Sequence, residues 1–192
     1  MSAVLLPRTQ FTRAEFLRML DTGAFDGKRL ELLDGELIDK MGQKPTHAST
    51  IRRVTKLLAE IFGIDRVLVQ APVDVAISDR DRNFPEPDLA VVREAKPDYD
   101  DRHPDGDELI LAGEVSDTSL RTDAKAKRDL YARAGVPEYW VLDIVSRRLI
   151  VHRDPAEGLY RTILSLGEDD TVSVHAAPEA RVLVADLLPR PR

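Results

Sequence analysis

The chain contains no cysteine at all. That excludes disulfides, thiolate metal sites and cysteine nucleophiles. Aromatic residues make up only 5% of the 192 residues, with a single tryptophan. Only four histidines occur, and they are scattered. They do not resemble a zinc site, so any metal is expected to be a hard cation held by oxygen. No apolar run approaches the roughly 18 residues needed to span a bilayer. The N-terminal stretch has too short an apolar core for a signal peptide and lacks a basic start, so a cytoplasmic location is expected. Positive charge is also short: 28 Lys and Arg against 34 Asp and Glu leave a net charge of −6. A non-specific nucleic-acid binder normally carries a basic footprint. An acidic balance does not exclude a nuclease, because a carboxylate metal site is itself acidic.

What is present describes a globular protein. Hydrophobic residues make up 43% and charged residues 32%. The length suits one domain spanning 1–192, with its core over about 11–188. Thr12 and Glu15 predict a capping box opening a helix to Leu20, with Phe16, Leu17 and Leu20 as its apolar stripe. Asp34-Gly35 predicts a type I′ turn between strands 29–33 and 36–41. Glu31 then points to the opposite face from Leu30 and Leu32. A second helix is expected over 46–62, with Ile51, Val54, Leu57, Leu58 and Ile61 on one face.

Strands are expected over 66–70, 73–77, 88–92 and 108–115. A third helix follows over 122–134, stopped by Gly135 with Pro137 beyond. Further strands are expected over 138–144, 148–152, 160–164 and 172–174, then a short piece over 181–188. Segments 78–83 and 93–107 read as loops. The order predicts a mixed α/β fold in which helices flank a central mixed sheet, with extra hairpins.

Three residues stand out chemically. Asp88 follows Pro87 and opens an apolar strand. It suits a metal ligand at a strand end, or an ordinary turn aspartate. Glu114 lies inside the apolar run 109–115, where a carboxylate is costly unless paired, protonated or metal-bound. It also suits the exposed face of a one-sided strand. Gly113 beside it permits close backbone approach. On the third helix, Lys127 shares an arc with Leu120, Asp123, Leu130, Tyr131 and Ala134, whereas Lys125 lies nearly opposite. Lys127 is therefore either a buried ammonium with a carboxylate partner, an edge lysine, or half of an Asp123–Lys127 pair. Two carboxylates with an adjacent ammonium can hold a divalent metal and activate water for phosphodiester hydrolysis. Tyr131, Tyr139 and Trp140 read as packing residues, and His47 as a residue of a helix start.

The run 114–143 resembles the signature of the bacterial Uma-two family, restriction-endonuclease-like proteins of the PD-(D/E)XK nuclease superfamily. The match consists of a strand-end Glu-Val, a Ser/Thr-rich turn, an aspartate, a helical lysine, and Leu-Tyr-Ala-Arg-Ala-Gly-Val-Pro-Glu-Tyr-Trp at 130–140. Arg29-Leu-Glu-Leu-Leu-Asp-Gly-Glu36, His47 and the Pro-Asp-Leu-Ala-Val-Val run at 87–92 match as well. The resemblance covers roughly residues 11–188. It implies a restriction-endonuclease-like core with catalytic Asp88, Glu114, Lys127 and Glu31. Asp88 and Glu114 would bind magnesium or manganese, and DNA would be the substrate. Dimers are common among such folds, so a homodimer is also an expectation. The chain departs from the common nuclease motif, which carries its lysine two residues after the glutamate. That position is Ser116 here, and Lys127 on the helix takes the place. The turn 116–119 also differs from the commoner Ser-Pro-Ser-Thr form. The competing reading is a non-catalytic nuclease-fold module that binds nucleic acid or a protein partner.

Overall fold

A computed structural model describes residues 9–40, 44–117 and 123–190. Met41, Leu120 and Thr122, each assigned a role by pattern above, lie outside the described residues. Helix α1 (Arg13–Asp21) opens with the Thr12–Glu15 capping box, both halves of which are present. Only Phe16 of its stripe is buried; Leu17 and Leu20 are more than a third exposed. Strands β1 (Leu30–Leu33) and β2 (Glu36–Asp39) form the expected hairpin. Asp34 and Gly35 both take positive φ, 47° and 76°, as a type I′ turn requires.

Helix α2 (Pro45–Phe62) leads to β3 (Val67–Val69). A strand expected over 73–77 does not form. That stretch makes one isolated bridge, Asp74 to Asp105, and otherwise packs through buried Val73 and Val75. Its alternation reflects half-buried chain on a surface rather than membership of a ladder. Strands β4 (Leu89–Val92) and β5 (Leu109–Ser116) follow, then α3 (Asp123–Arg133) and β6 (Glu138–Asp143). Strands β7 (Arg148–Ala156) and β8 (Leu159–Leu166) are longer than the pattern predicts. A small pair, β9 (Thr171–Val172) with β10 (Val182–Leu183), and helix α4 (Val184–Leu187) close the fold.

The central sheet has six strands in the order β3-β4-β5-β6-β7-β8. Only β5 and β6 run parallel, and α3 is their crossover. The other neighbours are antiparallel, so the sheet is mixed, as expected. Side-chain alternation splits the core into two layers. Leu89, Val91, Leu111, Trp140 and Leu142 pack on one face with Ile51, Val54 and Leu58 of α2. Ala90, Val92, Ala112, Tyr139 and Val141 pack on the other with Tyr131 and Ala132 of α3. Tyr131, Tyr139 and Trp140 are thus core residues. By the same alternation, Asp88 and Glu114 belong to the α3 face.

Candidate active site

Asp88 immediately precedes β4, in Phe84-Pro-Glu-Pro-Asp88. Prolines at 85 and 87 keep this stretch extended and remove two N–H donors. The intervening Glu86 N–H donates to Glu31 Oε2 at 3.2 Å. Phe84 pairs with Leu32 through a bridge, with Phe84 N donating to Leu32 O at 2.8 Å. The β1–β2 hairpin is thereby docked against the strand entry, and Glu31 is 2% exposed. Ion pairing of Arg29 with Glu86 reinforces the dock.

In the β4–β5 ladder Leu89 sits opposite Gly113. One step further along that register places Asp88 across from Glu114. Two carboxylates directly opposite one another repel. Two lysines offset this. Lys127 Nζ lies 2.8 Å from Glu114 Oε1 and 2.7 Å from Glu31 Oε2. Lys40 Nζ lies 3.3 Å from Asp88 Oδ1 and 3.9 Å from Glu114 Oε2. It also donates to the Glu86 carbonyl. On its other oxygen, Asp88 accepts from the Val115 N–H at 2.9 Å and lies 3.3 Å from His47 Nε2.

Each of the four residues singled out by sequence therefore falls in one cluster. Lys127 is 3% exposed, whereas Lys125 is exposed. The side chain of Asp123 lies outside the described part of α3, so the Asp123–Lys127 alternative does too. Gly113 plays no steric role: a Cβ there would meet Leu89 Cβ at 3.7 Å, an ordinary contact. Sequence reasoning missed Lys40; His47 stands in the first turn of α2, as expected, and from there faces Asp88, a contact the sequence did not signal.

Electrostatics separate the two facing carboxylates. Burial alone would raise the Asp88 carboxyl. The His47 hydrogen bond, the Lys40 charge and the Val115 N–H overcome burial and hold it well below the usual carboxylate range. Burial instead dominates at Glu114 and pushes it up to about 7, against the pull of Lys127 and Lys40. Burial also opposes the Lys127 ammonium, but Glu114 and Glu31 keep it above the ordinary lysine range. His47 is raised in the same way, Asp88 outweighing burial.

Among the described residues no three histidine, aspartate or glutamate side chains form a ready metal cage. The pair Asp88 and Glu114 nevertheless fits a hard divalent cation. Its oxygens already share one positive charge, the Lys40 ammonium. Carboxylate oxygens are the donors that magnesium and manganese prefer. Glu31 does not belong to that pair, since its Oε2 is engaged with Lys127 and the Glu86 N–H.

Comparison with solved structures finds the same fold in a putative nuclease belonging to DUF820 from Anabaena variabilis ATCC 29413. The TM-score is 0.72 at 16% identity, over 92% of this chain and 97% of that one. No curated protein matches the chain. Among the described residues no helix is long and apolar enough to cross a membrane. A family model does match: Uma2, described as "Putative restriction endonuclease", fits residues 13–185. With residues 13–185 inside that match, nearly the whole chain, the chain belongs to the Uma2 family.

Proposed function

We propose that the chain is a metal-dependent endonuclease that hydrolyses phosphodiester bonds in DNA. The observation that carries this reading is the convergence of Glu114 and Glu31 on an almost wholly buried lysine, with Asp88 joined to Glu114 through Lys40. A structural protein gains little from three carboxylates gathered near one buried lysine at the ends of β4 and β5, because buried ion clusters add little net stability over apolar packing.

Asp88 and Glu114 would hold magnesium or manganese, which supplies Lewis acidity toward the phosphate and a lowered pKa for the attacking water. The chain's own residues do the positioning. Lys127, fixed by Glu31, directs a full positive charge at the point where negative charge develops on the phosphate. Glu31 serves as the anchor of Lys127, and its carboxylate keeps the ammonium from collapsing wholly onto Glu114. The Val115 N–H and His47 fix the orientation of the Asp88 carboxylate. Substrate phosphate would enter from the side where Lys40 lies, the more exposed rim of the cluster.

The test is a substrate panel: supercoiled plasmid, single-stranded DNA and RNA, each with magnesium, with manganese and with EDTA. Cleavage of DNA in either metal, and none in EDTA, is the expected result. Binding without cleavage in every metal would replace this reading with the non-catalytic module.

A further inference from the structure

Lys40 is the residue that the family pattern and the sequence reading leave unassigned. Its ammonium stands between the two oxygens proposed to take the metal, 3.3 Å from Asp88 and 3.9 Å from Glu114. A divalent ion bound to both carboxylates requires contacts of roughly 2.0–2.6 Å, which places it in the same small volume. An ammonium and a divalent cation that close repel strongly in a partly buried site. One of them must leave.

The two lysines differ in how easily they leave. Lys127 has a side chain 4% exposed, held by Glu31 and Glu114 at 2.7 and 2.8 Å. Lys40 has a side chain 14% exposed, longer contacts to its carboxylates, and one backbone carbonyl as its further tether. It sits just past the end of β2, on a flexible four-carbon stem. Charge balance points the same way. Glu31, Asp88 and Glu114 carry three negative charges against two from Lys40 and Lys127. A divalent cation added with both lysines in place would leave a net charge of about +1 in a partly buried cluster, whereas withdrawal of Lys40 would leave it neutral.

We propose that Lys40 is an exchangeable internal counter-ion: it neutralises Asp88 and Glu114 in the metal-free protein, is displaced when metal binds, and then contacts a phosphate of the nucleic-acid substrate. This rests on the metal-nuclease reading of the same site.

Calorimetric titration of magnesium and manganese into the wild type, Lys40→Gln and Lys44→Gln tests it. Lys44 is a fitting control, being 59% exposed and paired with Asp117. Lys40→Gln should bind metal about tenfold more tightly, because a competing charge has gone. Lys44→Gln should match the wild type. Binding of a DNA duplex in calcium should weaken in Lys40→Gln, with a salt dependence shallower by about one ion. A second readout is made on the wild type, with one variant used only for assignment. In the wild type the Lys40 side-chain ammonium resonance, identified by its loss in Lys40→Arg, should be protected in EDTA and should exchange freely once magnesium is added. Equal or weaker metal binding by Lys40→Gln, or an ammonium signal unmoved by magnesium, overturns the Lys40 inference alone. Absence of metal binding in the wild type overturns the inference together with the metal-nuclease reading.

Discussion

The Lys127 ammonium bridges Glu31 and Glu114, two carboxylates that reach it from different parts of the fold: a hairpin and the central sheet. That bridge ties the catalytic proposal to stability. Lys127→Met should abolish cleavage, but it also strands two buried carboxylates. Removing one partner of a buried pair costs roughly 3–5 kcal/mol, so urea unfolding must accompany the activity assay. The double variant Glu31→Gln/Lys127→Met should recover part of that stability and no activity. Lys125→Ala, on the exposed side of α3, should leave cleavage and folding unchanged. Equal loss of cleavage in Lys125→Ala and Lys127→Met would contradict the assignment.

Asp88→Asn separates metal binding from pairing. In the wild type, magnesium at a hundredfold excess over Kd should stabilise the fold by about 2.7 kcal/mol. The variant should show little of this. Simple repulsion between facing carboxylates would make the metal-free variant more stable than wild type. The observed partners argue the opposite, because the Asp88 carboxylate already holds Lys40, His47 and the Val115 N–H. A loss of about 1–3 kcal/mol is expected without metal, as for charge-assisted hydrogen bonds. Thermal unfolding across a magnesium titration, with EDTA controls, gives both numbers.

Much of this site was legible in the chain. The turn at Asp34-Gly35, the strand entry at Pro87-Asp88 and the helical phase of Lys127 are local patterns, and each holds in the fold. Lys40 was legible too. Glu31 pairs with Ile38 across the hairpin, so residue 40 shares the face of Glu31 by simple alternation. The sign of its charge was the signal overlooked. His47 was not legible, because its contact with Asp88 depends on how α2 packs on the sheet. The supposed strand over 73–77 failed for a related reason: period-two alternation marks one buried side, and does not reveal whether a neighbouring strand is present to pair with.

Two glycines should respond oppositely to alanine. At Gly106 an added Cβ would lie 2.6 Å from both the Cβ and the carbonyl oxygen of Ala134, just past the end of α3. Gly106→Ala should cost roughly 1–3 kcal/mol through overpacking and disturb the helix that carries Lys127. Gly113→Ala, although adjacent to Glu114, meets only ordinary contacts. It should be neutral, or stabilising by about 0.4–1 kcal/mol through the unfolded chain. Chemical denaturation of the two variants decides between steric need and mere proximity to the site.

Acid sensitivity should have a source outside the site. Glu108 accepts from Arg102 through both oxygens and pairs with Lys96. The Arg102 hydrogen bonds outweigh burial and hold its carboxyl well below the ordinary glutamate range. A carboxyl lowered on folding contributes stability above its unfolded pKa and loses it as pH falls toward the folded one. Wild-type stability should therefore fall as pH drops below the usual glutamate range, and Glu108→Gln should flatten that part of the profile. Parallel profiles for the two proteins would show that this network contributes nothing to the fold.

The most direct measurement is the rate at which supercoiled plasmid is nicked or linearised by wild type and by Asp88→Asn, both shown to be folded, in magnesium and in EDTA. The account predicts cleavage by the wild type in magnesium alone and none by Asp88→Asn in either condition. Cleavage of equal rate in EDTA, or by the folded Asp88→Asn variant, would contradict it.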